Sequence, residues 1–336
     1  MKTAITTNRG AQPAGRRVIA VLTSLVLMLS VFCMPTFAAT RVPAWVKVMR
    51  QYQMKINADA EAKKTPTYGC TEQDDINYMG DQDANHTLDV YSPGGVPASK
   101  KLPVIVEVHG GGYVSCNKEI NRQHGLWFAS KGYRVVNINY TLVPEATIKQ
   151  EIQEINSVFQ WVNANADKYG FDANNIFLTG DSAGGHLVLL FTAAQTDPEL
   201  QAYFEIQPAK GYRATTATCP VGSFVSSDPV SKAMEIMLGP DFAARNNLQL
   251  LSYESFDKPS MPPLFIVTTP TDKTAYTVTK AIHEDMVKKG VPHQYKEYTG
   301  QQNQLDHVFN VLKPDYPESI QANSDILAFF AAHMAK

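Results

Sequence analysis

From residue 102 onward the chain alternates short, almost unbroken apolar runs with longer stretches of helical spacing. Leu102-Pro103-Val104-Ile105-Val106-Glu107-Val108 is the first such run, and 133–140, 175–179, 214–221, 263–269 and 293–298 repeat the type. Strands this rich in Val, Ile and Leu are covered on both faces, which predicts a parallel sheet. Between them, 121–131, 148–169, the stretch after residue 182, 275–289 and 319–335 read as helices. In 148–169 the stripe is Ile152, Ile155, Val158, Phe159, Trp161 and Val162, and Gly170 closes the helix. The alternation predicts an α/β fold with a mostly parallel central sheet and helices on both faces. Upstream, strand candidates at 75–79 and 87–91 flank the turn-rich 80–85, a hairpin at one sheet edge. Residues 41–63 carry an apolar stripe of Trp45, Val46, Val48, Met49, Tyr52, Met54 and Ile56. That helix either docks near the ligand-binding edge of the sheet or simply covers the core. Residues 222–261 break the alternation with a helical 230–238 in an irregular surround, expected to be a short lid over the C-terminal strand ends.

The first forty residues differ in kind. Lys2, Arg9, Arg16 and Arg17 precede an uncharged apolar run at 18–34 and then Pro35-Thr36-Phe37-Ala38-Ala39. This is the pattern of a secretory signal peptide, with cleavage after Ala38 or Ala39 and an uncleaved membrane anchor as the alternative. The expected layout is a leader at 1–38, a helical segment at 39–69 and a main domain at 70–336 with the lid inside it. Removing 1–38 takes away four basic residues, leaving 26 basic against 32 acidic, a net −6. A mildly acidic chain without a Lys/Arg cluster speaks against nucleic acid or an anionic membrane as partner, unless the leader stays in place as an anchor. Oligomeric state is not readable. Cys70, Cys116 and Cys219 permit at most one internal disulfide, fit no zinc spacing, and read best as small buried hydrophobes. Asn85-His86-Thr87 is a glycosylation sequon, relevant only if a eukaryotic cell makes the protein.

Candidate chemistry concentrates at strand ends. Gly180-Asp181-Ser182-Ala183-Gly184-Gly185 follows the strand at 175–179 and opens a helix. Small residues at Gly180 and Gly184 permit a sharp turn that exposes the Ser182 hydroxyl, and the helix aims its first amides at the same point. A capping serine in an ordinary loop is the plain alternative. His109-Gly110-Gly111-Gly112-Tyr113 follows the strand at 102–108, and its amides, with that of Ala183, form a candidate oxyanion hole. It lacks the Lys-Ser/Thr ending of a phosphate loop. Asp272 follows the strand at 263–269 and His307 follows that at 293–298, so serine, acid and base occur in that order at one sheet edge. Asp306 is the reserve acid. His293, His283, His333 and His124 read as structural or solvated, whereas His186 and His109 sit inside the two motifs, the first facing into a helix start and the second opening the glycine loop as part of its support, with Gly110, Gly180 and Gly184. Tyr113, Met234, Met237 and Leu238 are candidates for lining a pocket or for plain core.

The glycine loop together with Gly180-Asp181-Ser182-Ala183-Gly184-Gly185-His186 resembles the α/β-hydrolase fold, specifically the esterase/lipase group related to hormone-sensitive lipase. Leu88-Asp89-Val90-Tyr91 is similar to the small carboxylesterase and feruloyl-esterase-like members of that group. The resemblance covers about 70–335. It implies Ser182 as nucleophile, His307 as base, Asp272 as acid, and the amides of Gly111, Gly112 and Ala183 as oxyanion hole, with no metal or cofactor. The implied substrate is a small-molecule ester; an extracytoplasmic setting, or a membrane-anchored one, is expected from the leader pattern alone. The segment 139–145 departs from the group pattern, with Thr141 where arginine is usual. Amidase, formamidase and carbohydrate deacetylase activities share this machinery, and a non-catalytic binding protein on the same scaffold is the reading from another class.

Overall fold

The computed structural model describes residues 42–62, 67–227 and 229–335. All belong to the second of two units, Ala39–Lys336; the expected leader lies outside the described residues. Eight strands form one sheet in the order β1-β2-β4-β3-β5-β6-β7-β8. They are β1 (Cys70–Asn77), β2 (Thr87–Pro93), β3 (Leu102–Val108), β4 (Arg134–Ile138), β5 (Phe171–Asp181), β6 (Tyr212–Thr218), β7 (Leu264–Thr268) and β8 (His293–Glu297). From β4 through β8 every pairing is parallel, whereas β2 runs antiparallel to both β1 and β4. The hairpin therefore sits at one edge and the parallel strands fill the rest.

The main helices are α1 (Ala44–Ala62), α2 (Arg122–Ser130), α3 (Ile148–Ala164), α4 (Ser182–Ala194), α5 (Pro198–Phe204), α6 (Pro229–Arg245), α7 (Tyr276–Lys289) and α8 (Pro317–Ala332). Strand side chains alternate between two cores, as the period of two requires. Val104, Val106, Val108, Ile176 and Leu178 face a cluster with Val46 of α1, the stripe of α3, and Leu187 and Leu190 of α4. Ile105, Val135, Phe177, Phe265 and Val267 face the other, with Leu126 and Phe128 of α2 and Ile326 and Phe330 of α8. Helices thus cover both faces of an α/β sheet.

Boundaries differ from the sequence pattern where local chemistry intervenes. The helix expected over 148–169 breaks at Asn165 into α3 and a single turn, Ala166–Tyr169, closed by Gly170. A capping box between Thr147 and Gln150 starts α3. The pattern missed α5, seven residues opened by an Asp197 cap and Pro198, because so short a helix carries little periodicity. The stretch 222–261 contains α6, kinked at Gly239, and a turn at Tyr253–Phe256. Among the described residues no helix is long and apolar enough to cross a membrane.

Three polar side chains of α3 are buried, Glu151, Glu154 and Asn156. Glu151 is fully buried, and neither carboxyl oxygen has a hydrogen-bond partner among the described residues. Burial, with Glu154 nearby, pushes its carboxyl well above the usual range. With the folded-state value above the unfolded one, the stability it contributes is present below about pH 4.5 and lost as pH rises toward the folded value. Glu151→Met is therefore expected to raise Tm, by more at pH 8 than at pH 5; an equal shift at both, read by thermal unfolding, would contradict the assignment.

Candidate active site

The sharpest turn in the sheet joins β5 to α4. Ser182 sits at φ 53°, a conformation uncommon outside glycine, directly between the last strand residue and the first helical turn. The close approach of α4 to β3 imposes it. A Cβ at Gly184 would fall inside contact distance of the carbonyl oxygens of Val108 and His109, so only glycine fits there. Those carbonyls lead into the glycine loop, which is why the loop and Ser182 are neighbours.

The structure brings Ser182, His307 and Asp272 into one line. His307 Nε2 lies 2.9 Å from Ser182 Oγ and its Nδ1 lies 2.8 Å from Asp272 Oδ2. Asp272 Oδ1 accepts the backbone amides of Thr274 (2.8 Å) and Ala275 (3.0 Å), so both of its oxygens meet fixed donors. Burial pushes the Asp272 carboxyl up, but His307 and these amides outweigh it and hold it below its ordinary value. An ionised acid on Nδ1 fixes the imidazole tautomer that leaves Nε2 free to accept from the serine hydroxyl. The stretch leading into His307 is tied down at two points. Thr271 Oγ1 donates to Leu305 O at 2.6 Å, and Glu318 accepts the amides of Gln301 (2.8 Å) and Gln302 (2.7 Å). Asp306, the reserve acid, is not the partner of His307 Nδ1.

Gly111, Gly112 and Tyr113 have φ of 117°, 62° and 67°, three successive residues in the left-handed half of the map. Among the described residues nothing accepts the amides of Gly111, Gly112 or Ala183. Gly111 and Gly112 are half-buried and Ala183 is buried at the start of α4, where first-turn amides lack helical partners. A negative oxygen at that point would find donors and the positive end of the helix.

Several side chains that sequence reasoning left aside hold this loop. Asp181, inside the serine motif, is buried, and its Oδ1 accepts Gly110 N (3.1 Å) and Asn121 Nδ2 (2.8 Å). Burial pushes Asp181 up to about 6, with Asn121 drawing it back. Its only signal in the sequence is a carboxylate closely following the apolar run Ile176-Phe177-Leu178. Tyr113, considered as pocket lining or core, donates its buried hydroxyl to His186 Nδ1 at 2.7 Å. His186 Nε2 in turn donates to Leu251 O at 2.8 Å, which settles the tautomer, since a carbonyl only accepts. Burial holds His186 down at about 4, so it stays neutral. His109 is likewise buried and held at about 4; its ring stacks on Tyr140, whose hydroxyl donates to His109 O at 2.8 Å.

The remaining histidines have other engagements: His124 with Glu107, His283 with His293, and His333 with Phe329 O. Thr141 donates its amide to Glu154 at 2.6 Å and lies 3.3 Å from His86 Nε2. Leu238 is buried in the core cluster; the side chains of Met234 and Met237 fall outside the described part. Cys70, Cys116 and Cys219 are free, and of these only Cys219 is buried. Cys219, Asp272 and His307 offer donor atoms within 4.8 Å of one another, the one such group among the described residues. Two of those donors are committed to the Asp272–His307 bond, and burial pushes the Cys219 thiol well up, away from the thiolate a metal requires.

Comparison with known proteins follows the same lines. The chain is 35% identical over 133 residues to LipM of Mycobacterium tuberculosis, described as a probable carboxylic ester hydrolase, a match spanning 39% of this chain and 30% of that protein. Esterase LipC of the same organism is 35% identical over 121 residues, 36% of this chain and 30% of the relative. The matched part is thus under a third of the length of these relatives. Among solved structures, esterase B from Lactobacillus rhamnosis superposes with a TM-score of 0.77 at 25% identity, covering 86% of this chain and 94% of the other. The same esterase inhibited by a C4-C4 tributyrin phosphonate also gives 0.77, at 27% identity, covering 86% of this chain and 94% of the other. An esterase structure from Rhizomucor miehei shares the fold with a TM-score of 0.69 at 19% identity, covering 97% and 98%. Residues 88–286 match the BD-FAE family, more than half of the sequence, and the chain is a member of that family with an α/β-hydrolase fold.

Proposed function

We propose that this protein is a serine hydrolase of carboxylic esters with short acyl chains, working through an acyl-enzyme on Ser182. The observation that carries the reading is the unbroken line from Ser182 Oγ through His307 to Asp272, at 2.9 and 2.8 Å, beside loop amides that have no partner among the described residues. His307 Nε2 takes the hydroxyl proton as Ser182 Oγ attacks the ester carbonyl. The oxyanion of the tetrahedral intermediate lies against the amides of Gly111, Gly112 and Ala183. The C–O bond to the leaving alcohol breaks as Nε2 returns the proton to it. Water, giving its proton to Nε2, then attacks the acyl-enzyme; the acid departs and Oγ regains a proton. Asp272 keeps Nδ1 protonated and stabilises the imidazolium formed in each half.

Support for short acyl groups comes from the likeness to esterase B, whose bound inhibitor is a C4-C4 tributyrin phosphonate, and from the brevity of the 222–261 segment. Export through residues 1–38 is part of the same proposal and rests on the basic, then apolar, then small-residue order of that segment.

Ser182→Ala is expected to lower kcat on 4-nitrophenyl acetate by about 10⁵–10⁶-fold and to abolish labelling by a fluorophosphonate, with circular dichroism unchanged. Undiminished turnover would refute the nucleophile. Asp272→Asn is expected to cost about 10⁴-fold in kcat through the wrong imidazole tautomer, and a loss below tenfold would remove the acid from the scheme. Protein recovered outside the cytoplasm is expected to begin at Ala39 or Thr40 by N-terminal sequencing; an intact Met1 in that fraction contradicts cleavage.

A further inference from the structure

The N-terminal helix α1 lies outside the family match at 88–286, yet one of its side chains reaches the glycine loop. Arg50 Nε donates to Val114 O at 2.7 Å, and Nη2 donates to Val143 O at 3.0 Å. The same guanidinium makes a two-pronged pair with Glu145, Nη1 to Oε1 at 2.8 Å and Nη2 to Oε2 at 2.9 Å. The planar fork thus spans two segments remote in sequence from it and from each other, 113–115 and 143–145. A lysine cannot make those contacts at once.

Both segments bear on the candidate oxyanion amides. Val114 and Ser115 donate their amides back to Gly111 O, so the carbonyl that Arg50 holds belongs to the turn enclosing Gly111–Tyr113. Val143 donates its amide to Tyr113 O at 2.9 Å, joining the second segment to the first. Three consecutive positive φ angles, one of them at a tyrosine, are costly and persist only where surrounding contacts over-determine them. Asp181 fixes the loop at Gly110 N and His186 fixes it at the Tyr113 hydroxyl. Arg50 fixes the far end.

We propose that Arg50 is a positioning residue of the active site, clamping the glycine loop to the 143–145 segment so that the amides of Gly111 and Gly112 stay aimed at the reacting oxygen. The consequence for ester turnover rests on the hydrolase reading above; the loop-clamping itself does not. Exposure separates this role from a contribution to stability. The Arg50 side chain is 26% exposed and that of Glu145 44%, so the ion pair adds little to folding, and its effect falls on the placement of the loop.

The test uses the full chain with Arg50→Ala, Arg50→Lys and, as a control on the same helix, Val46→Ala, which loosens the packing of α1 but leaves the guanidinium in place. Two readouts are taken: kcat and KM for 4-nitrophenyl butyrate, and hydrogen exchange of the Val114 and Ser115 amides. Arg50→Ala is expected to reduce kcat about tenfold with KM within twofold, to speed exchange at 114–115, and to leave Tm within a few degrees. Arg50→Lys is expected to recover less than half of the loss, and Val46→Ala to lower Tm while keeping kcat. Unchanged exchange in Arg50→Ala, or equal losses of kcat in Arg50→Ala and Val46→Ala, would overturn the proposal. Faster exchange in Arg50→Ala while the wild-type protein turns over no ester would uphold the clamp and defeat the hydrolase reading instead.

Discussion

The backbone contact between β3 and α4 is the constraint on which the rest of the site depends. Gly184 lies so close to the carbonyls of Val108 and His109 that no side chain fits between them, and the chain reverses from β5 into α4 through Ser182 at φ 53°. That single approach sets the hydroxyl, the first amides of α4 and the start of the glycine loop within reach of one another. An unfavourable turn of this kind costs of order 1–3 kcal/mol and is retained where packing enforces it. The enforcement here is α4 itself: Leu187, Val188, Leu189, Leu190 and Phe191 are all fully buried, so the helix cannot shift to relieve the serine.

Around the elbow, the polar groups taken out of water are arranged so that each fixes a neighbour. Asp181 holds Gly110 and Asn121, while Tyr113 reaches Leu251 through His186. The histidines in this layer are kept neutral by burial, which suits a role as fixed donors and acceptors, whereas the partly exposed His307 is the one that meets the Ser182 hydroxyl. The loop amides are aimed by these side chains and by Arg50, because a glycine loop has no side chains with which to hold itself.

What could be read beforehand followed from local rules. The parallel strands stood out because a sheet covered on both faces needs unbroken apolar runs, and the helices between them because their stripes repeat every three or four residues. The elbow and glycine loop were visible because small residues at fixed offsets are a steric requirement. Helix α5 was not visible at seven residues. Asp181 drew no reading of its own, Tyr113 stood between pocket lining and core, and His186 lay at a helix start, because the bonds that matter reach partners 71 and 73 residues away along the chain. Nothing local in the sequence singles out Arg50; its contacts with Val114 and Val143 cross 64 and 93 residues.

By itself, then, the sequence determined the strand and helix pattern, the turn at Ser182 and the order in which serine, acid and histidine follow their strands. Those features depend on sterics and periodicity within a few residues. The tertiary structure decided which of the eight histidines meets the serine hydroxyl, that His307 pairs with Asp272 and not its neighbour Asp306, and which side chains hold the loop amides. The Ser182–His307 contact joins residues 125 apart, and it exists only because β5, β7 and β8 lie in one parallel sheet with their C-terminal ends on the same edge. Spacing along a chain carries no information about such a distance until the strand order is fixed.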